Sequence, residues 1–476
     1  MTWLLLTLHI LLIAGFGLRI LLRRDMRPDV RLAWLMVIVL VPYLSCLLYY
    51  LFGEVALGRW PAKKRLNVRA FTQSQGISGP AQGEAFAGIS AQWQPAFHYA
   101  NSINGFQALP GHQAELMRDG AHAHAQMLAD MDAAQHEINV LYYIWLDDET
   151  GTHVAHTLIR AAQRGVTCRA MVDGLGSRAL THSPLWHQMK DGGVHLAIAL
   201  PIDRPLKVIL TSRIDLRNHR KITLIDQQIT YVGSQNCADE AFRVKPRFAP
   251  WVDIMLRVQG PAVEQMQQAF ASDWAQSGAS FAPPPIRVAK AQGPGFSAVT
   301  IAEGPTERAR ATPQLVSILL ASARQEVLIS TPYFVPDTTV LDALCAAALR
   351  EVRVTLILPA RNDSWIVGAV SRSHYWRLLN AGVQIHEYRP GLLHSKTMCI
   401  DGTVSFIGST NLDLRSFDLN FENNVLLQDE ATTQAIIERQ QSYLRESHPV
   451  TLEQVRAIPR WQRIWENLLG ALSPVL

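Results

Sequence analysis

The sequence predicts an α/β protein. Two homologous α/β sandwich domains face each other across a pseudo-twofold axis, preceded by a two-helix transmembrane hairpin. Three observations predict this. Two apolar runs, Thr2–Leu18 and Leu32–Phe52, open the chain. From about Phe106 onward, helix-spaced and strand-like segments alternate, as in a buried sheet covered by helices. The order of those segments then recurs, with His394 standing 175 residues after His219 in the same local setting. A chain of 476 residues has room for roughly two or three domains.

Each apolar run approaches the roughly 20 residues that a helix needs to cross a bilayer. Leu32–Phe52 carries no charge, and Pro42 within it is tolerated in a membrane helix. Thr2–Leu18 has neither a basic start nor an A-x-A site after it, which disfavours a cleaved signal peptide. The loop between the runs holds Arg23, Arg24, Arg27 and Arg31. The segment after the second run holds Arg59, Lys63, Lys64, Arg65 and Arg69, so the positive-inside rule leaves sidedness open. Residues 1–60 are therefore predicted as the hairpin. Residues 61–105 follow as a polar connector with little regular structure, then domains over 106–285 and 286–476. The Pro/Gly-rich "APPPIRVAKAQGPG" at 282–295 links those domains.

The formal charge of +4 is too mild to argue for nucleic acid and suits an anionic membrane surface about as well. The five cysteines are scattered and odd in number with no C-x-x-C, which argues against a disulfide framework or a cysteine zinc site. Several of the 12 tryptophans lie near the chain ends, where membrane contact would fall.

In the first domain "HAQMLADMDAAQHE" has helical spacing, "INVLYYIWL" is strand-like, "GTHVAHTLIRAAQRG" is helical and "VTCRAMVDG" is strand-like again. After the linker, "LLASARQEVLISTPYFVPD" echoes "MDAAQHEINVLYYIWLDDE", "REVRVTLILP" echoes "RGVTCRAMVDG", and "LLNAGVQIHEY" echoes "QMKDGGVHLAIAL". The period is too long for a solenoid and fits a duplicated domain.

Each half carries the same motif. "NHRKITLIDQQITYVGSQN" places His219, Lys221 and Asp226 where "LHSKTMCIDGTVSFIGSTN" places His394, Lys396 and Asp401. Gly233-Ser234-Gln235-Asn236 likewise matches Gly408-Ser409-Thr410-Asn411. Both motifs read as β-hairpins, so His and Lys, two apart, project to one face. The Asp401-Gly402 pair signals the turn, and the return strand brings Ser409 and Asn411 back beside His394 and Lys396. Asp401 belongs to the motif's catalytic set, yet its place at the turn suits a structural or orienting carboxylate better than a reactant.

The chemistry that suits these residues is displacement at a phosphodiester. An imidazole serves as nucleophile or proton donor. Lys221 and Lys396 clamp the phosphate, and Asn236, Asn411, Ser234 and Ser409 donate further hydrogen bonds to it. No clustered carboxylates mark a magnesium site, so no cofactor is expected. A nucleophilic histidine needs an orienting acid. Glu422 is the candidate in the second half and Asp253 in the first.

Paired H-x-K-x4-D motifs, each followed by G-S-x-N, resemble the phospholipase D superfamily. The hairpin ending in "YYLFG", with "TPYFVPD", "LLNAGVQIHEYRPGLLHSK" and "GSTNLDLRSFDLNFENN", resembles its bacterial cardiolipin synthase branch over essentially the whole chain. The likeness is looser in the first half, where "IDQQIT" replaces the usual Asp-Gly turn. The resemblance implies α/β/α sandwich domains and a membrane enzyme of the bacterial inner membrane. It implies ping-pong transfer of a phosphatidyl group between two phosphatidylglycerol molecules, with His219 as nucleophile and His394 as acid and base. The alternative is a membrane-bound phospholipase D-type hydrolase, or a transphosphatidylase with another acceptor. In the C-terminal "IPRWQRIWENLLGALSPVL", Trp461, Ile464, Trp465, Leu468 and Leu472 share a helical face beside Arg460 and Arg463. That helix is either interfacial or packed on the protein's own core.

Overall fold

Leu109–Leu116 and Phe296–Glu303 pair antiparallel at the centre of one 16-stranded sheet, and the strand order reads alike outward in both directions. The computed structural model describes residues 2–24, 26–53, 67–74, 86, 88–203, 215–287, 293–308 and 310–472. On one side follow Met255–Gln259, Ile229–Gly233, Ile222–Ile225, Glu137–Tyr142, Thr167–Asp173 and His195–Ala199. On the other follow Asn420–Gln428, Val404–Gly408, Thr397–Ile400, Glu326–Ser330, Arg353–Pro359 and Gln384–Tyr388. The three echoed strand segments of the sequence thus occupy mirrored places. In each half the three strands beyond the motif hairpin run parallel and the hairpin itself is antiparallel, and in the second half Ser447–Pro449 adds an antiparallel edge strand.

Local chemistry explains the elements. Glu137–Tyr142 is buried at every residue, as expected of a strand covered on both faces. The crossover helices Glu149–Gln163 and Thr338–Leu349 start at matching aspartates. Asp148 accepts from the Gly151 N–H at 3.0 Å, and Asp337 from the Val340 N–H at 2.9 Å. The halves also share a core. Leu141, Val232, Phe270 and Trp274 of the first pack in one cluster with Cys399, Ile407 and Val425 of the second.

Two expectations are corrected. The 61–105 connector is not irregular where it is described: it holds the helices Val68–Ser74 and Gln94–Asn104. Trp93, Ala96, Phe97, Ala100 and Ile103, at helical spacing, enter the core of the second half. Arg69 lies on the first of these helices, whereas Arg59, Lys63, Lys64 and Arg65 fall outside the described residues.

The second correction concerns the apolar runs. The first forms Thr2–Leu22, but the second is not one continuous helix. It divides into Pro28–Leu40, Pro42–Leu48 and a π-turn at Tyr49–Gly53. Val41, at φ −136° and ψ 66°, caps one helix and starts the next, because Pro42 bars its predecessor from the helical region. Among the described residues no helix is long and apolar enough to cross a membrane. The two runs nevertheless fold back on each other, burying Ile20, Trp34, Ile38, Cys46 and Tyr49 between them.

Candidate active site

Each motif histidine sits just before its hairpin, at the tip of a short extended segment clasped by the opposite half. Arg217–Asn218 pairs in parallel with Asn420–Phe421, and the His219 N–H donates to Phe421 O at 2.9 Å. In the mirrored position Leu392–Leu393 pairs with Trp251–Val252, and the His394 N–H donates to Val252 O at 2.8 Å. The next residue of each clasping strand is an acid, Glu422 or Asp253. The strand crossing therefore aims each carboxylate at the histidine of the other half. His219 Nδ1 lies 2.8 and 3.0 Å from the two Glu422 carboxylate oxygens, and His394 Nδ1 lies 2.6 Å from Asp253 Oδ1. The sequence reading placed each acid with the histidine of its own half, and the geometry exchanges the partners. Sequence offers no signal for this, since it depends on how the two sheets dock.

A carboxylate only accepts hydrogen bonds, so it holds each imidazole in the tautomer protonated at Nδ1 and leaves the Nε2 lone pair free. Burial lowers both histidines to about 4, with Glu422 and Asp253 pulling the other way. Burial raises Asp253, but the His394 contact outweighs it and brings the carboxyl to about 2. Glu422 is also held below its ordinary value: the His219, Lys221 and Ser409 interactions outweigh its burial. The resting site thus holds two neutral imidazoles and two carboxylates.

Lys221 Nζ donates to the His219 carbonyl at 2.8 Å and Lys396 Nζ to the His394 carbonyl at 2.6 Å. Both lysines are buried, which lowers them to about 8 and about 7 respectively. The two halves feel each other's charge: Lys396 acts on His219, and Lys221 on His394. The crossed contacts, Glu422 on His219 and Asp253 on His394, bring both motifs to one site.

The other predicted residues divide. Ser234 donates to Asp253 at 2.6 Å, and Ser409 donates to Glu422. The serines expected at the phosphate instead stand behind the orienting acids. Asn411 binds Ser416 Oγ through Nδ2 at 3.2 Å, and its Oδ1 is buried with no hydrogen-bond partner among the described residues. Because a hydroxyl both donates and accepts, the amide can turn and leave its NH₂ free for a ligand. Asn236 is tied by Oδ1 to the Ile144 N–H at 3.4 Å.

Asp226 and Asp401, placed with the catalytic set, contact neither histidine. Each stands at its turn, seven residues beyond the histidine, roughly 20 Å along extended chain. Asp226 accepts from the backbone N–H groups of Gln135, His136 and Glu137 at 2.8–2.9 Å. Asp401 accepts from those of Arg324, Gln325 and Glu326, and from Gln92. Both therefore pin the hairpin turn to the start of the neighbouring strand. The position after each is left-handed: Gly402 at φ 67° in one half, Gln227 at φ 54° in the other. The first half accepts backbone strain of about 1 kcal/mol where the second uses glycine.

Several supporting residues escaped the sequence reading. Arg220, between His219 and Lys221, is fully buried. It donates to Asp273 at 2.7 Å and to the Glu422 and Glu303 carbonyls at 3.1 Å, fixing the backbone that carries Glu422. Asp273, the one charged residue of "AFASDWAQ", was the available signal. Tyr143 sets its ring edge-on to His219, with centroids 4.9 Å apart, and Trp251 lies 4.5 Å from His394. A surface cavity of about 830 Å³ lies elsewhere, lined by His112, Phe296 and Asp429, and it touches none of the motif histidines, lysines, aspartates, serines or asparagines.

With this geometry in view, comparison with known proteins is specific. The family model "Cardiolipin synthase, PLD-like domain" matches residues 127–274 and 316–443, and "Phospholipase D-nuclease N-terminal" matches 3–54. A cardiolipin synthase A of Serratia proteamaculans is 35% identical over 489 aligned positions, covering 100% of this chain and 98% of that protein. One from Escherichia coli is 34% identical over 481, with the same coverage. The crystal structure of a Haemophilus influenzae phosphatidylserine synthase aligns with TM-score 0.61 at 14% identity, covering 80% of this chain and all of that one. That likeness concerns the fold.

Proposed function

The chain belongs to the phospholipase D-like cardiolipin synthase family, and from that premise we propose that it transfers a phosphatidyl group between two phosphatidylglycerol molecules, giving cardiolipin and glycerol. The observation that carries the reading is the crossed pair of histidine–carboxylate contacts with a buried lysine beside each histidine.

In the proposed reaction His219 Nε2 attacks the phosphorus of the first lipid. As the anionic phosphodiester binds, His394 takes up a proton at Nε2 from water; when the bond from phosphorus to the headgroup glycerol breaks, that proton passes to the departing oxygen. The phosphatidyl group then rests on His219. His394, now neutral, removes the proton from a headgroup hydroxyl of the second lipid. That oxygen attacks phosphorus, and the nitrogen–phosphorus bond breaks to free His219. Glu422 and Asp253 stabilise the positive charge that each imidazole gains. Lys221, Lys396 and the free end of Asn411 meet the non-bridging oxygens. His219 is assigned as nucleophile by the resemblance.

The N-terminal hairpin is the proposed anchor, embedded in the bacterial cytoplasmic membrane as a multi-pass element. In its support, Trp3, Leu8, Leu11, Leu22, Leu32 and Leu40 turn outward although they are large and apolar. We also take 106–285 and 286–476 as the two catalytic domains.

Purified protein incubated with phosphatidylglycerol in detergent micelles tests the reading through its products. Cardiolipin with equimolar glycerol is expected. Phosphatidic acid without cardiolipin would instead identify a hydrolase. His219→Ala and His394→Ala should each abolish product, and near-normal turnover by either would overturn the two-histidine reaction.

A further inference from the structure

The C-terminal helix Arg460–Leu472 has two faces with different partners. Inward, Leu469 is buried in a cluster with Val335, Ala369 and Val370, and Glu466 accepts from Arg372 at 2.7 Å. Outward, Trp461 (71% exposed), Ile464 (68%), Trp465 (45%) and Leu468 (49%) form a stripe at helical spacing that stays largely exposed among the described residues. The stripe continues onto the neighbouring helices. Trp365 stacks on Trp465 at 6.1 Å, and Trp376 lies under the Arg456 guanidinium at 5.2 Å. Both tryptophans are exposed.

Charge and position identify the occupant. From Arg456 to Gly470 the basic residues Arg456, Arg460 and Arg463 are exposed, while the one acid, Glu466, is turned inward. An apolar stripe with tryptophans and flanked by arginines fits an anionic lipid surface, where indole rings settle at headgroup depth and guanidinium groups meet phosphates. The patch also adjoins the site. Ser330 pairs with Thr397, so His394 lies just past the C-terminal end of Glu326–Ser330. Pro359 ends the neighbouring strand at the same edge, and the helix Trp365–Ser373 starts six residues later. Leu412–Asp413, directly after Asn411, pairs with Phe334–Val335, and Val335 touches the cluster holding Leu469.

We propose that this face docks on the bilayer interface and sets the height at which the two histidines meet lipid phosphates. The proposal rests on the lipid-transfer function above. It makes the C-terminal helix a second membrane contact, separate from the N-terminal hairpin.

The test uses the full chain in vesicles of phosphatidylglycerol and phosphatidylethanolamine. The five native cysteines are all buried, so a nitroxide can be placed at Ile464→Cys and, as an aqueous control, at the exposed Gln188→Cys. At 464, collisions with oxygen should exceed those with a water-soluble nickel chelate, relative to the control, by about tenfold. Equal ratios at the two positions would overturn the proposal. So would label-to-label dipolar coupling at 464, which would mean that a second copy covers the face.

A second arm uses the triple variant Trp461→Ser, Ile464→Ser, Leu468→Ser. Turnover of vesicle lipid should fall about tenfold, while turnover of a monomeric short-chain phosphatidylglycerol stays within about twofold. An equal loss on both substrates would mean that the face serves folding only, and would overturn membrane docking. Failure of the unaltered chain on both substrates would count against lipid transfer itself, and the nitroxide readings would still decide the surface.

Discussion

Replacing Glu422 by glutamine isolates the crossed geometry, because the side chain keeps its shape and loses only its charge. Glu422 is fully buried and accepts from His219, Ser409 and Asn420. When His219 takes up phosphorus, its ring becomes cationic at a site away from water, and this carboxylate faces it directly. Removing one partner of a buried ion pair costs about 3–5 kcal/mol. At 1.36 kcal/mol per decade, the attack step should slow by roughly 10²–10⁴-fold. A phosphatidyl ester of p-nitrophenol makes the assay selective, since that leaving group departs without a proton. On it Glu422→Gln should behave like His219→Ala, losing both the nitrophenol burst and the covalent phosphohistidine. Asp253→Asn should behave like His394→Ala, keeping the burst and accumulating the intermediate. If Glu422→Gln keeps the burst while Asp253→Asn loses it, either the assignment of nucleophile or the crossing is wrong. Full activity in both variants would refute the role of the carboxylates altogether.

Two further outcomes follow from the same structure. Asp401→Ala removes an acceptor shared by three backbone N–H groups, so stability should fall by about 2–4 kcal/mol while turnover per folded molecule stays near normal. Thermal unfolding alongside active-site titration checks this, and lost turnover with an unchanged Tm would make Asp401 a reactant after all. The pH dependence comes from the lysines, which sit at about 7 for Lys396 and about 8 for Lys221 in the ligand-free protein. Each holds the phosphate only when protonated. On the nitrophenyl ester, kcat/KM should therefore decline as pH rises through about 7–8, and kcat should decline only at higher pH, because a bound anion favours the ammonium form. A kcat/KM flat to pH 9 would show that the lysines stay charged without ligand.

The sequence by itself determined much of this protein. The duplicated H-x-K-x4-D and G-S-x-N runs named the reactive residues. The turn signal at Asp401-Gly402 marked a hairpin, and the three echoed segments are strands at mirrored places in the sheet. Such features are local, because period, turn chemistry and composition are written in neighbouring residues. The helix at Gln94–Asn104 was equally local, and its stripe of Trp93, Phe97, Ala100 and Ile103 was readable but overlooked among polar neighbours.

Tertiary structure alone decided the rest. That Glu422 serves His219 and Asp253 serves His394 depends on two strand clasps between segments about 200 and 140 residues apart, and no spacing rule reaches that far. That Ser234 and Ser409 support the acids follows from strand pairing within each half, where Ile229–Gly233 runs beside Met255–Gln259 and Val404–Gly408 beside Asn420–Gln428. Burial did the remainder. A histidine and a lysine two apart are ordinary in sequence. They become a low-lying imidazole and a weakened ammonium once a second domain closes over them and removes the water.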